Sequence, residues 1–465
     1  MSLRNDAATA GYRGEALLAI ERLGLQVFDL VEVTTSRGTF VGLVVPRSQA
    51  ADDRHIVLRL PSGHNAGIAV ASILRAAKLG SRPPVYTAPT AAFPERAGKP
   101  NVLLLGTGGN IASRVDFHTG QVVPAFSPEE LCCLVPELAD ICTLSTRTLY
   151  NVFSQDMGPR EYVGMARAIG EAIAEGRDGI VIGHGTDTLH HTAAVLSFMV
   201  RFSPIPIVLV GSQRSVDRPG SDAALNLICA TKTAAASDIA EVLVCMFGPT
   251  SDEYCLLHRG TRVRKMHASY RSAFRTVGDI PVGMVDPDTI VPLREDYARR
   301  RRDRDVILDP VFDDRVTLLY HYPAMKADVV DAVVDRGYRG IVVAGTGAGA
   351  VNREVLPGLE RAVRRGVHVV MAVQTLWGYA ELRGSDTGRR LFELGVVPAA
   401  NMLPEVAYMK LCWALGHAEA TRDEIAEMML APVAGEITPR EPHDGYLVYQ
   451  GGIPEVEAFL SKYRR

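Results

Sequence analysis

The chain lacks several things that would have settled its class at once. No apolar run reaches the roughly twenty residues a membrane span requires, so a bitopic or polytopic protein is not expected. The first fourteen residues are polar and carry no apolar core of a signal peptide, which predicts a cytoplasmic protein. Its seven cysteines are scattered and odd in number, and none form a C-x-x-C pair. That excludes a disulfide framework and favours buried structural thiols. Its twelve histidines fall in no H-x-x-x-H or mixed His/Cys cluster. No metal and no other cofactor is therefore assigned. Charge of one sign is not in excess either. Fifty Lys and Arg face 53 Asp and Glu, a formal net charge of -3, which gives no electrostatic ground for autonomous binding to nucleic acid or to a membrane surface.

What is there is an ordinary soluble composition, 47% hydrophobic and 22% charged over 465 residues, enough for two or three cores. Residues 1 to about 23 read as a short helix or loose tail. From Leu25 the pattern turns to period two. Val27 to Val33, Phe40 to Val45, His55 to Leu60 and Ala66 to Val70 are strands between turn signals, which predicts a small antiparallel β barrel over residues 1–85. The Pro- and Ala-rich stretch from Arg82 to Pro100 reads as a linker. Apolar strands then alternate with helical patterns. Residues 98–295 are expected to form a larger α/β domain and 306–445 a smaller one, each on a parallel sheet, with 446–465 as a tail. Ser127-Pro128-Glu129-Glu130 has the order of a helix start. The basic run Arg299 to Arg302 reads as a solvated break.

Chemistry concentrates where buried strands end. Gly179 to Gly183 is a short apolar run that delivers His184-Gly185-Thr186-Asp187-Thr188 and then a helical pattern. In a doubly wound sheet, ligands sit at such carboxyl ends. By itself, Thr186 or Asp187 reads as a helix cap. Three further segments change that reading: Thr107-Gly108-Gly109-Asn110, Ser154-Gln155-Asp156-Met157, and Lys265 at the end of His258 to Met266. A threonine hydroxyl attacks only when a base takes its proton. A lysine serves as that base when burial and cationic neighbours lower its pKa. Here Lys265 is the candidate base, with Asp187 to orient it. Backbone N–H groups of the turns at Gly109 and Gly185 can hold an oxyanion. Ser154 and Gln155 can fix the α-amino and α-carboxylate groups of an amino acid.

In these blocks, with Met402-Leu403-Pro404-Glu405-Val406 and Gly435-Glu436-Ile437-Thr438, the chain resembles the asparaginase family. Within it, the branch containing the D subunit of archaeal glutamyl-tRNA(Gln) amidotransferase is nearest, because Pro46-Arg47 and His55 to Leu58 fall in a barrel that plain asparaginases lack. The resemblance implies hydrolysis of glutamine or asparagine and a homodimer in which the smaller domain completes a neighbour's site. It also implies a tRNA-binding partner subunit that receives the ammonia. Thr186, Asp187 and Lys265 match the family's catalytic trio, Ser154 and Gln155 its substrate-binding pair, and Ser212 a further substrate contact.

One position departs. The family's glycine turn reads Thr-Gly-Gly-Thr, and its second threonine is the usual first nucleophile, but here Asn110 stands in that place. A carboxamide cannot form the ester intermediate, and losing a nucleophile costs on the order of 10⁴ to 10⁶ in rate. Three readings stay open: a substitution that traps substrate, a paralogue in which Thr186 attacks or the pocket serves another reaction, or a ligand-binding and interaction protein without turnover.

Overall fold

A computed structural model describes residues 11–47, 52–62, 64–81, 98–109, 111, 113–115, 122–124, 130, 133, 135–215 and 220–442. Asn110, the helix start expected at Ser127 and the tail 446–465 lie outside the described residues. The chain divides into two compact units, Met1–Pro89 with Arg114–Val123, and the remainder.

In the first unit, helix α1 (Gly14–Arg22) precedes five strands: β1 (Asp29–Thr35), β2 (Gly38–Val44), β3 (His55–Arg59), β4 (Asn65–Ala69) and β5 (Ile73–Ser81). All pairings are antiparallel and the order is β4-β3-β2-β1-β5. Alternation sets the faces of β1, where Val31 and Val33 are buried beside Ile56, Leu58, Ile68 and α1's Ala16 and Ile20. The expected barrel is not closed by hydrogen bonds: among the described residues no pairing joins the edge strands β4 and β5. A single 3-10 turn, Val70–Ser72, links the two, and β5 pairs instead with β1 across two register shifts. Those irregularities bend the sheet around its core without sealing it.

Among the described residues the second unit holds an eight-stranded sheet, a four-stranded sheet and two two-stranded ones. The larger contains β6 (Asn101–Gly108), β7 (Thr143–Val152), β8 (Gly179–Gly183), β9 (Ile207–Val210), β10 (Val242–Phe247) and β11 (Cys255–Arg259). A hairpin of β12 (Val263–Lys265) and β13 (Phe274–Thr276) follows, and β14 (Gly283–Val285) and β15 (Ile290–Pro292) complete the larger sheet. Strands β7-β6-β8-β9-β10 are parallel, and β11, β14 and β15 extend the edge antiparallel. The sheet is thus mixed, where an all-parallel one was expected. The reason is chain length: only residues 248–254 separate β10 from β11, too few for the crossover a parallel neighbour needs. Helices α2 (Pro159–Ala174), α3 (Leu189–Met199) and α4 (Ala223–Ala236) cover the faces.

The smaller sheet, β16 (Val316–Tyr320), β17 (Gly340–Gly345), β18 (His368–Val373) and β19 (Val397–Pro398), is parallel throughout. Helix α5 (Pro404–Leu415) is buried on nearly every face, as a helix enclosed between layers must be. It packs on α3 and on the smaller sheet, so one apolar cluster runs from Leu196 and Phe198 through Trp413 to Val342 and Val370.

Candidate active site

Strand order fixes where a ligand belongs. From β6 the chain steps to β7 on one side and then crosses to β8 on the other. The carboxyl ends of β6 and β8 are therefore the topological switch point, where a crevice opens. Gly106 pairs with Gly183 there; β8 ends at that glycine and β6 at Gly108.

The turns touch because they are built of glycine. A Cβ on Gly109 (φ +79°) would lie 2.2 Å from Gly185 Cα, and one on Gly185 would lie 2.8 Å from Ser154 Oγ. A Cβ on Gly211, just past β9, would meet the Thr186 methyl at 2.8 Å. Four strand ends thus converge, and only residues without side chains permit it. Cross-links hold them: Thr107 Oγ1 donates to the Gly183 carbonyl at 2.8 Å, and Thr188 Oγ1 to that of Ser154 at 2.6 Å.

The hairpin β12–β13 brings Lys265 to this crevice. Its Nζ donates to Thr186 Oγ1 at 2.9 Å and to Asp187 Oδ1 at 2.7 Å. Thr186 is 3% exposed, whereas the Asp187 side chain is 67% exposed and its Lys265 partner 9%. One amine thus bridges a buried hydroxyl and an open carboxylate. Ser154 and Ser212 are buried, and Ser212 Oγ has no hydrogen-bond partner among the described residues. Gln155 is exposed beside Ser154. The structure therefore brings Gly109, Ser154, Gly185, Thr186, Asp187, Ser212 and Lys265 to the converging strand ends, with Gln155 exposed beside Ser154.

Residues to which the sequence assigned no role hold these groups in place. His184, fully buried, sets Nδ1 2.7 Å from the Gly185 carbonyl and Nε2 2.9 Å from Thr192 Oγ1. Burial lowers its pKa to about 4, against a weaker opposing effect of the Gly185 bond. The ring is neutral near pH 7, so Nδ1 donates to the carbonyl and Nε2 accepts from the threonine. Asp222 accepts from the Gln213 and Arg214 amides at 3.0 and 3.1 Å, while Asn226 Nδ2 donates to the Gly211 carbonyl at 3.0 Å. Together they fix the turn that carries Ser212. Arg264 reaches Glu405 on α5 at 2.5 Å, and Arg262, wholly buried, donates to the Asn401 and Gly435 carbonyls. The strand bearing Lys265 is thereby fastened to the C-terminal half of the unit. Glu405 and Gly435 fall inside the family's motif blocks, but only the folded chain reveals what they grip.

Among the described residues, no group of three or more His, Cys, Asp or Glu could hold a metal ion. No described helix is long and apolar enough to cross a membrane.

Comparison with known proteins identifies the family. Family models of the N-terminal asparaginase domain, the glutaminase/asparaginase C-terminal domain and the GatD N-terminal domain match residues 101–297, 315–429 and 25–79. The solved thermostable L-asparaginase from Thermococcus kodakarensis is 34% identical with a TM-score of 0.64, over 73% of this chain and 99% of that one. Fold and site define an amidohydrolase of the asparaginase type. The glutamyl-tRNA(Gln) amidotransferase D subunit of Thermococcus kodakarensis is 47% identical over 442 residues, 92% of this chain and 98% of that protein. Its counterpart in Methanothermobacter thermautotrophicus is 43% identical over 430 residues, 92% and 98% of the two chains. The chain belongs to the family of glutamyl-tRNA(Gln) amidotransferase D subunits.

Proposed function

We propose that the chain releases ammonia from the side-chain amide of glutamine or asparagine, as the ammonia-producing subunit of a tRNA-dependent amidotransferase in the cytoplasm. The observation that carries this reading is the 2.9 Å contact between Lys265 Nζ and Thr186 Oγ1. Lys265 takes the Thr186 proton as Oγ attacks the carboxamide carbon, and the oxyanion that forms meets backbone N–H groups of the glycine turns. Lys265 returns the proton to the departing nitrogen, the C–N bond breaks, and ammonia leaves an ester on Thr186. Water then attacks that ester, with the same amine as base, and frees the acid product. Asp187 orients Lys265. Ser154, Gln155 and Ser212 hold the amino-acid end of the substrate, with Gly109 and Gly185 lining its approach. Asn110 stands where the family has a hydroxyl, and its carboxamide cannot form an ester with the substrate. The names of the D-subunit relatives support a tRNA-binding partner subunit, and the family resemblance a homodimer.

Ammonia release from glutamine, asparagine and small peptide amides tests this. The chain is expected to turn over feebly, Asn110→Thr to raise the rate by orders of magnitude, and Thr186→Ala to abolish it. Turnover surviving Thr186→Ala would remove Thr186 from the mechanism, and an unchanged rate in Asn110→Thr would remove the explanation for feebleness. Asn110 itself favours one second reading, a ligand-binding and interaction protein without turnover. Amino-acid binding with no ammonia, in both the chain and Asn110→Thr, would select it.

A further inference from the structure

A cavity of about 320 Å³ opens in the larger α/β half, away from Thr186. It lies at the amino ends of β9 and β10, whereas the active-site turns follow the carboxyl ends of β6 and β8. Its walls include Arg201 and Phe202 just past α3, Glu241 ahead of β10, Arg259, Asp296 and Arg304.

Pairing the charges one by one leaves a remainder. Arg259 meets Glu241 through Nε at 2.7 Å and Nη2 at 3.0 Å, and Glu241 also accepts the Ala298 amide. Asp296 is taken by Arg294. Both carboxylates in the wall are thus matched. Arg201 and Arg304 are not: neither guanidinium has a carboxylate within ion-pair distance among the described residues. The Arg201 guanidinium lies 5.9 Å from the centre of the Trp413 ring, and among the described residues its buried Nε has no hydrogen-bond partner, so nothing in the fold neutralises its charge. Phe202, at the rim, is 57% exposed and holds a left-handed backbone (φ 59°), an uncommon conformation for an aromatic residue. Two guanidiniums without an ion pair among the described residues, beside an exposed ring and around a volume at the lower end of small-molecule pockets, suit a ligand with an anionic head and a flat apolar body.

We propose that this cavity is a second ligand site, separate from the amide-hydrolysing crevice, for a small organic molecule bearing a carboxylate or phosphate. Arg201 and Arg304 grip the oxyanion, and Phe202 packs on the body. The test is calorimetric titration of the full chain with phenyl phosphate, benzoate and inorganic phosphate at millimolar concentrations, with no reading of ammonia. At least one probe is expected to bind saturably, and the preferred one identifies the head group and whether the body matters. Arg201→Gln and Arg304→Gln should each weaken it about tenfold or more, as loss of a charged hydrogen bond does, while Thr186→Ala leaves it unchanged. Among the described residues the Arg304 side chain makes no hydrogen bond to the fold, so its variant carries the test if Arg201→Gln melts early. Absence of saturable binding by all three probes would overturn the proposal. So would binding that a folded Arg304→Gln variant retains in full, or binding that disappears in Thr186→Ala.

Discussion

Lys265 can act on Thr186 only while its amine stays between two oxygens, 2.9 Å from the hydroxyl and 2.7 Å from Asp187. Lys265→Met keeps most of the side-chain volume and removes the proposed base. Its kcat should fall by about 10² to 10⁴, the usual worth of general-base help, with KM changed far less, because the groups proposed to hold the substrate are elsewhere. Steady-state ammonia release measures both, and a loss confined to KM would make Lys265 a binding residue. At this scale the sequence was informative in one way only. Thr186 and Lys265 lie 79 positions apart, so neither spacing nor periodicity joins them, and their chemistry and the motif blocks together nominated the pair. His184 sits inside one of those blocks, yet its task depends on burial and on a threonine eight positions along. A buried neutral ring and an exposed ligand read alike in a string of letters.

At the scale of elements, the site depends on β6 and β8 turning without side chains between them. Gly109→Ala combines a left-handed backbone with a Cβ 2.2 Å from Gly185. Backbone in that conformation costs about 1–3 kcal/mol for a residue with a side chain, and the overlap adds to it unless the two turns separate. The variant should melt several degrees lower and lose amide hydrolysis together, as scanning calorimetry and the ammonia assay would show. An unchanged melt with full activity would mean the turns are not held as tightly as their contact implies. The long elements were legible because β8, β9 and β10 are continuous apolar runs and α2 shows helical spacing. The hairpin β12–β13 and the strands β14 and β15 were not. Each has three residues, too few to display a period of two. Lys265 rides on one of these short strands, so its placement was hidden for the same reason.

Across the whole molecule, distant segments are joined by buried polar groups. Arg262 reaches Asn401 across 139 positions, and Lys410 pairs with Glu436, both wholly buried, at 2.5 Å. No local pattern announces such links, because a buried arginine and a surface one have the same letter. Buried histidines set the pH response of the fold. His184 and His258 are both 0% exposed. Burial holds them at about 4 and about 3, with the Gly185 carbonyl opposing slightly at the first and Arg275 adding to the fall at the second. In the unfolded chain each takes up a proton near its ordinary pKa of about 6.5. Between that value and about 4 the unfolded state binds more protons, so stability must fall as pH falls. Each histidine contributes on the order of 1.4 kcal/mol per pH unit across that window. Asp222 and Glu405, raised mainly by burial, act in the opposite sense from the ordinary carboxylate range upward, and so blunt the acid end of that fall. Urea midpoints should therefore be level above about pH 7.5 and drop steadily from pH 6.5 towards 4.5, and His258→Gln should flatten part of that slope. A midpoint that held level or rose on acidification would mean that these rings take up protons inside the folded protein.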